Sequence, residues 1–353
     1  MTTRAEAVSE YRHLKNRHRL FVILLTVGAL ITIPLTLGFG VYNISLVDSI
    51  VVFFQHLTGN IVDVKADGFI WDVRLPRALG TVVLGAGLAV AGAVMQNNFK
   101  NPLAEPYTMG ISSGAFMGVV IAMVTGISII PGLSVQAGYT ANAFLFSLIP
   151  IAMILLISKF KNVTPVSMIL IGIAIMFLFN SVSQIMLLAS SAETLQDAYL
   201  WRVGNTSRID WDALPIMVSI TVIVMAIVWF LSDKLNVMYA GDRGAQSMGV
   251  RPQKLRLVTL TLVSLMTAAI VSLTGTIGFI GLVGPHIARI FVGSNNRYLI
   301  PASAAFGAMF MAVADTVAKV TGPDGLPVGV ICSMVGGPLF IYILVKRSKK
   351  VWM

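Results

Sequence analysis

The stretch RLPRALGTVVLGAGLAVAGAVM, Arg74–Met95, joins a charged turn to an uninterrupted apolar run. The run Ala78–Met95 has 18 residues and no ionisable side chain, which is close to the length that crosses a hydrocarbon core about 30 Å thick. Proline fits the first turn of a helix, so Pro76 predicts a helix start. Arg74 and Arg77 would then lie at the helix N-terminus, where cations oppose the helix macrodipole. The stretch predicts a membrane span with two arginines in an unfavourable place.

The composition of the whole chain extends this prediction. Of the 353 residues 56% are hydrophobic and 11% are charged, and the mean hydropathy is +0.85, whereas soluble domains carry about 25% charged residues. Cys332 is the only cysteine, so an intrachain disulfide is excluded. No His, Cys, Asp or Glu cluster has the spacing of metal ligands. We therefore predict an all-α, polytopic membrane protein and assign no metal site.

Ten apolar runs have the length expected of membrane spans. They are Leu20–Phe39, Ala78–Met95, Ile111–Ile130, Asn142–Ile157, Val166–Ala189, Leu214–Leu231, Leu257–Leu273, Ile277–Val292, Leu299–Val317 and Leu326–Val345. The first run is long for a signal peptide and no A-x-A cleavage site follows it, so we interpret it as a retained span. This divides the chain into a basic cytoplasmic tail, residues 1–19, and a single transmembrane domain, residues 20–353.

The distribution of basic residues sets the orientation of these spans. Ten spans place both termini on one side, and with that side cytoplasmic 19 of the 25 Lys and Arg residues lie inside. This bias follows the positive-inside rule. The six basic residues left outside are Lys65, Arg74, Arg77, Arg202, Arg208 and Lys319. Arg74 and Arg77 are thus unusual both for their helix end and for their side of the membrane.

Several motifs near the C-terminal half leave two interpretations open. GTIGFIGLVG, Gly275–Gly284, has glycine at every third position, which fits either a closely packed helix face or a broken helix that lines a cavity. His286, just after it, is expected to be a structural hydrogen-bonding residue. Asp315 and Lys319 are four residues apart, so they fit either a local ion pair or a role for Lys319 beside the outer arginines.

The longest inner loop, Leu231–Arg256, contains the pattern of a short helix. AGDRGAQSMGV ends on Gly249, a good C-terminal glycine, and Pro252 begins the next segment. A short helix on the inner face fits docking to a soluble partner, although an ordinary interhelical loop has the same pattern. The chain has no G-x-x-x-x-G-K-[ST] phosphate loop and no H-E-x-x-H motif. We assign no catalytic or cofactor-binding residue and do not expect an enzyme.

These motifs together resemble the FecCD-type permeases of binding-protein-dependent ABC importers for iron–siderophores, haem and cobalamin. The blocks that carry the resemblance occur in the family's order and cover nearly the whole chain from about Leu20. They are RLPRALGTVVLGAGLAVAGAVMQNNFKNPLAEPYTMGISSGA at Arg74–Ala115, GDRGAQSMGV at Gly241–Val250, GTIGFIGLVGPHIAR at Gly275–Arg289, ASAAFGAMFMAVADTVAK at Ala302–Lys319, and LPVGVICSMVGGPLFIYIL at Leu326–Leu344.

The resemblance implies a type II ABC importer permease fold with about ten transmembrane helices and both termini cytoplasmic, in a prokaryotic cell (inner) membrane. It implies a second permease subunit, in a homodimer or a related heterodimer, and two ABC ATPase subunits on the cytoplasmic face. A substrate-binding protein would dock outside. ATP would be used by the ATPase partners, so that this chain binds no cofactor directly. Lipid is the remaining expected partner, and nucleic acid is not expected.

The resemblance also assigns residues. Arg74, Arg77 and Lys319 match the cations that pair with the binding protein, and lysine at the third position keeps the charge without the bidentate fork of arginine. Thr164 and Ser167, where the fifth span begins, match the inner gate, and Pro165 between them departs from the pattern. The segment that couples the permease to the ATPase maps onto six residues, Gly241, Asp242, Ala245, Met248, Gly249 and Val250.

We therefore expect a permease that translocates a metal chelate. An iron–siderophore ranks first, because it is the commonest substrate of the family, and cobalamin and haem follow. An ion-coupled secondary transporter or a membrane-embedded enzyme is the alternative class. Either of these would need intramembrane acids, histidines or ion sites, and Asp315 is the one clear intramembrane acid in the sequence.

Overall fold

The computed structural model describes residues 4–40, 42, 44–161, 163–322 and 325–347, and in these ranges the regular structure is helical. This confirms the all-α prediction. The α-helices are, in chain order, α1 (Arg4–Leu37), α2 (Leu46–Thr58), α3 (Val64–Gly68), α4 (Leu75–Phe99), α5 (Ile111–Thr125), α6 (Val135–Ser147), α7 (Ile149–Phe160), α8 (Pro165–Leu188), α9 (Ala192–Arg202), α10 (Leu214–Phe230), α11 (Ser232–Val237), α12 (Gly241–Ser247), α13 (Pro252–Thr274), α14 (Ile280–Val292), α15 (Asn296–Val320) and α16 (Val328–Arg347).

Nine of the ten predicted spans each overlap one of these helices, and the fourth overlaps the consecutive pair α6 and α7. In the described ranges, six segments are long and apolar enough to cross a membrane on their own, and α10 with its continuation, bent by 56°, makes a seventh. The helices α5 and α14 are shorter, with 15 and 13 residues. Length and composition therefore support six or seven crossings, and the crossings by the short helices stay a prediction.

The first helix joins the predicted tail to the first span. Helix α1 runs from Arg4 to Leu37, so the backbone has no break at the predicted boundary between residues 19 and 20. The first three residues of the tail lie outside the described part of the chain. After α1, α2 begins at the N-cap Ser45, whose hydroxyl accepts a hydrogen bond from the Asp48 backbone amide at 3.1 Å. This cap explains why the weakly apolar segment after α1 is helical.

The helix that carries the two outer arginines begins earlier than the sequence predicts. It is continuous over Val64–Phe99, because a π-helical segment, residues 69–74, joins α3 to α4. Pro76 is therefore the second residue of α4 and not the start of a helix. The proline has no amide hydrogen to continue the π-type pattern to the carbonyl of Trp71, and that carbonyl instead accepts a hydrogen bond from the Trp211 indole at 2.9 Å. The arginines flank a proline inside a long helix.

Glycines bring α4 into backbone contact with two neighbouring helices. A Cβ atom on Gly92 would lie 1.9 Å from the Gly281 carbonyl oxygen on α14, and one on Gly85 would lie 2.3 Å from the Gly307 oxygen on α15. Since side chains cannot occupy that space, the helix backbones approach as closely as small residues allow. This contact makes α4 the centre of the core, and most of its residues are buried.

The glycine-rich stretch before His286 contains both a helix break and a packed helix face, and the lining of a cavity by the break stays a prediction. Residues 275–279 are not helical and separate α13 from α14, so this part is a break between two helices. Gly281 belongs to α14 and packs against α4. Pro285, four residues after Gly281, leaves the Gly281 carbonyl without its helical partner, and the Gln96 side chain of α4 donates to it at 3.2 Å. The stretch is a helix break followed by a packing face.

Candidate functional site

The three cations predicted for docking line one pocket at the end of the helix bundle that the sequence predicts to be outer. This pocket has a volume of about 370 Å³ and includes Arg74, Arg77 and Lys319. These residues come from two helices, because α4 supplies Arg77 and α15 supplies Lys319, and Arg74 precedes α4 by one residue. The structure thus brings together residues separated by more than two hundred positions. We call this group the outer pocket.

Arg74 is held by the backbone that leads from α1 to α2. Its guanidinium donates to the Leu37 carbonyl oxygen at 2.6 Å and also to the Tyr42 carbonyl oxygen. Only 5% of Arg74 is exposed. Two carbonyls hold the guanidinium, and no acidic partner of Arg74 occurs among the described residues, so its positive charge is fixed beside the pocket.

Arg77 and Lys319 share one buried carboxylate. The Arg77 Nη2 and Nε atoms lie 2.8 and 3.0 Å from Asp315 Oδ1, and Lys319 Nζ lies 2.9 Å from Asp315 Oδ2. The Thr206 hydroxyl also donates to Asp315. Asp315 is 1% exposed, so the carboxylate is satisfied by partners from three segments of the chain. Both sequence interpretations apply, since the local Asp315–Lys319 pair exists and Lys319 also joins the outer arginines.

The charge balance of the outer pocket stays positive. Three cations and one carboxylate give a formal charge of +2 in the group of Arg74, Arg77, Lys319 and Asp315. The described ion pair of Arg77 is with Asp315. A low-dielectric rim strengthens the field of such a cluster, so the outer pocket suits an acidic partner.

The predicted coupling segment forms a short helix on the side predicted to be cytoplasmic. Helix α12 spans Gly241–Ser247, and its residue Ala245 is fully buried. Gly249 has φ +80°, and its amide donates to the Gln246 carbonyl at 3.0 Å, while the Val250 amide donates to the Ala245 carbonyl at 3.0 Å. These two bonds form a Schellman motif, as the sequence predicts. Met248 is 54% exposed beside it, so the segment offers a protruding apolar side chain to a partner.

A buried arginine ties this segment to the membrane helices. Arg256 on α13 is 2% exposed, and its Nη2 lies 3.0 Å from Asp242 Oδ1 on α12. Its Nε donates to the carbonyl of Asn98, near the inner end of α4, at 3.1 Å. One side chain therefore connects α12, α13 and α4. Arg256 was not predicted from the sequence. The available signal is a basic residue four positions after Pro252, within the first turns of α13.

Replacing Gly249 with valine is expected to uncouple transport from ATP hydrolysis. A β-branched residue at φ +80° is strained by about 1–3 kcal/mol, and the strain falls on the motif that ends α12. The ratio of substrate taken up to ATP hydrolysed, measured in proteoliposomes with the ATPase partner, should fall. Gly249→Asn is the matched control, because asparagine tolerates this conformation. A normal ratio in the valine variant would contradict the coupling role.

The two predicted gate residues lie together where α8 begins. Thr164 is the N-cap of α8, and its hydroxyl accepts a hydrogen bond from the Ser167 amide at 3.1 Å. The Thr164 and Ser167 hydroxyl oxygens are 2.8 Å apart. Pro165 occupies the first helical position, where proline is favoured. Helix capping accounts for all three residue types, and gating by this pair stays a prediction.

The histidine near the inner side has a structural environment. His286 is 6% exposed, its Nδ1 lies 3.0 Å from the Leu282 carbonyl oxygen, and its ring meets that of Phe340 edge to face. Cys332 is fully buried, and its Sγ lies 3.5 Å from the Met311 sulfur. Both side chains are thus packed within the helix bundle, and the contacts of His286 agree with the structural hydrogen-bonding role expected for it.

Comparison with known proteins identifies related transport components. A model of the FecCD transport family matches residues 27–346. A putative ABC transporter permease protein of Methanocaldococcus jannaschii is 40% identical over 293 residues, which cover 80% of this chain and 83% of that protein. The hemin transport system permease protein HmuU of Yersinia pestis is 34% identical over 283 residues, which cover 80% of this chain and 84% of that protein.

A solved structure has the same fold along nearly its whole length. It is described as an inward-facing conformation of a putative metal-chelate type ABC transporter, and its chain is 29% identical to this one with a TM-score of 0.81. The match covers 92% of this chain and 98% of that chain. The family model's match, residues 27–346, includes both the outer pocket and the coupling segment.

Proposed function

Because this chain belongs to the FecCD transport family, we propose that it moves an iron–siderophore across the cell membrane as the permease subunit of an ABC importer. The family and its relatives are ABC importer permeases, so the chain is a multi-pass membrane transport component and not itself an enzyme. Its relatives act on haem and other metal chelates by name. The observation that carries the proposal is the match of the family model to residues 27–346.

The choice of an iron–siderophore deepens that proposal. A relative named for hemin transport supports an iron chelate as substrate class. Few charged side chains occur within the apolar helices, which fits a large and nearly neutral complex better than a small ion. Haem and cobalamin are the alternative chelates, and an uptake assay with each of the three chelates distinguishes them.

Partner subunits supply the remaining functions in this proposal. An extracytoplasmic binding protein would dock on the outer pocket, and two ATPase subunits would bind the α12 segment on the cytoplasmic face and use ATP. A second permease subunit, identical or related, would complete the pathway. The termini lie in the cytoplasm, as the distribution of basic residues supports. This chain contributes the path and the mechanical coupling.

Transport can be measured directly in proteoliposomes that contain the permease with its ATPase and binding protein. We expect ATP-dependent uptake of a radiolabelled ferric hydroxamate, and no uptake with the ATPase inhibited. Haem and cobalamin serve as competing substrates in the same assay. ATP-dependent uptake of cobalamin or haem without uptake of the ferric hydroxamate would overturn the siderophore proposal, and uptake driven by a proton gradient alone would overturn the importer.

Neutralising the outer pocket is expected to weaken docking of the binding protein. In Arg77→Gln the carboxylate of Asp315 keeps Lys319 as its ion-pair partner, so the fold survives while one positive charge is lost. We expect an affinity about fivefold lower at low salt, equivalent to about 1 kcal/mol, with basal ATPase activity retained. Arg202→Gln is the control, since Arg202 is an exposed outer cation on α9 and is not among the outer pocket's lining residues. Equal affinities of the wild type and Arg77→Gln would refute the docking role.

A further inference from the structure

A groove on the lateral surface of the helix bundle lies apart from the outer pocket and from the α12 segment. It has a volume of about 440 Å³ and lies between α1, α4, α10 and α15. Its described lining contains no charged side chain, and the hydroxyl of Thr26 is satisfied by the Val22 carbonyl at 2.8 Å. Leu30 and Val222 at its edges are 57% and 53% exposed. The groove is thus apolar and open on the face that meets lipid.

Small side chains create the groove, and its length matches part of one leaflet. Ala86, Ala226 and Ala304 present only methyl groups to it. Along α4 the lining runs from Val82 to Val90, which is about 12 Å at 1.5 Å per residue. One leaflet contributes about 15 Å of hydrocarbon. The groove is too short for another membrane-spanning helix and long enough for part of an acyl chain.

An indole fixes the inner end of the groove. Pro301 lacks an amide hydrogen, which leaves the carbonyl of Arg297 without its helical partner. The Trp229 indole nitrogen donates to that carbonyl at 3.2 Å and so joins α10 to α15. Trp229 also lines the groove and is 40% exposed. Tryptophan prefers the membrane–water interface, so this end marks the level of the lipid headgroups.

Two guanidinium groups lie on the helix faces that continue from this end. Arg297 is four residues before Pro301 on α15, and Arg19 is seven residues before Thr26 on α1, so each shares a helix face with a lining residue. Both arginines are exposed. Arginine binds phosphate oxygens with paired hydrogen bonds. Positive charge therefore accompanies the apolar groove at its inner end.

We propose that this groove binds one acyl chain of an anionic phospholipid from the inner leaflet, and that Arg297 and Arg19 pair with its phosphate. The Trp229 indole lies between the two parts of the ligand, beside the glycerol region. The lining takes up the apolar chain, and the guanidinium groups distinguish an anionic headgroup from a zwitterionic one. This site is independent of the transported substrate.

Filling the groove tests the acyl-chain part of the proposal. Ala226 is an exposed lining residue, so Ala226→Phe places a ring in the groove without disturbing the core. Native mass spectrometry of the purified full-length permease with dioleoyl-phosphatidylglycerol should show at least a fivefold fall in retained lipid. Ala152→Phe on α7 is the matched control, since Ala152 is exposed and lies outside the groove. Equal retention in Ala226→Phe and wild type, or an equal fall in both variants, would overturn the proposal.

Removing the charges tests the headgroup part. The wild type should retain dioleoyl-phosphatidylglycerol at least fivefold better than dioleoyl-phosphatidylcholine, and Arg19→Gln with Arg297→Gln should abolish that preference while phosphatidylcholine retention is unchanged. Lys159→Gln, at an exposed basic residue in the last turn of α7, should keep the preference. A wild type without preference, or a double variant that keeps it, would show that these arginines do not select the lipid. Retention of a co-purified protein in place of lipid would also overturn the proposal.

Discussion

Asp315→Ala is expected to destabilise the permease by about 3–5 kcal/mol, because it leaves a buried lysine and a partly buried arginine without their shared counter-charge. Asp315 is 1% exposed and pairs with Arg77 and Lys319, and Lys319 is itself 6% exposed. Arg77 is partly buried, with 16% of its side chain exposed, and both cations line the outer pocket. The free energy of unfolding in mixed detergent micelles measures the effect, and docking of the binding protein should be lost with it.

The matched variants separate the charge from the packing. Asp315→Asn keeps the size of the side chain and should still cost most of the stability, because the loss of charge is the cause. Combining Asp315→Asn with Lys319→Met removes one of the two unpaired cations and should recover part of the loss. Glu193→Gln, at an exposed outer acid on α9, should change stability by less than about 0.5 kcal/mol. A similarly small change in Asp315→Ala would show that the outer pocket does not depend on its carboxylate.

The same carboxylate shows why the sequence predicts one part of this site and not another. Positive-inside bias isolates Arg74, Arg77 and Lys319 as unusual outer cations, and the spacing of Asp315 and Lys319 predicts their local pair. The contact of Asp315 with Arg77 joins residues 238 positions apart. Helical periodicity contains no information on such a contact, because it depends on which faces of α4 and α15 meet. Those faces meet where Gly85 and Gly307 allow the backbones to touch.

Elsewhere in the chain, single residues predict helix ends and starts correctly where the residue type has one common backbone role. Gly249 predicts the end of α12, and Pro252 predicts the start of α13, since each conformation is set within one turn. The same kind of local signal predicts a helix start at Pro76, and that prediction is wrong. Proline fits the first turn of a helix, but here the preceding π-helical segment and the indole of Trp211 accommodate it inside a longer helix. The partner of the freed carbonyl lies more than a hundred residues away.

Arg256→Met is expected to lower substrate uptake per ATP hydrolysed by about tenfold, within the range of about 0.5–2 kcal/mol that single residues contribute to coupling. The Arg256 guanidinium joins Asp242 on α12 to the carbonyl of Asn98 near the end of α4. Methionine keeps much of the volume, so the helices should still pack, while the connection from α12 to α4 is lost. Uptake and hydrolysis measured in the same proteoliposomes give the ratio.

A coupling role for Arg256 and a purely structural role predict different effects of Arg256→Met on ATP hydrolysis. Asp242 is 48% exposed, so water can replace its partner, and only the buried Asn98 carbonyl loses a bond that costs about 1–3 kcal/mol. ATP hydrolysis should therefore continue in Arg256→Met without driving transport. Lys254→Met, at an exposed residue of the same helix turn, should leave the ratio unchanged. If uptake and hydrolysis fell in proportion, Arg256 would stabilise the fold and would not transmit motion from α12 to α4.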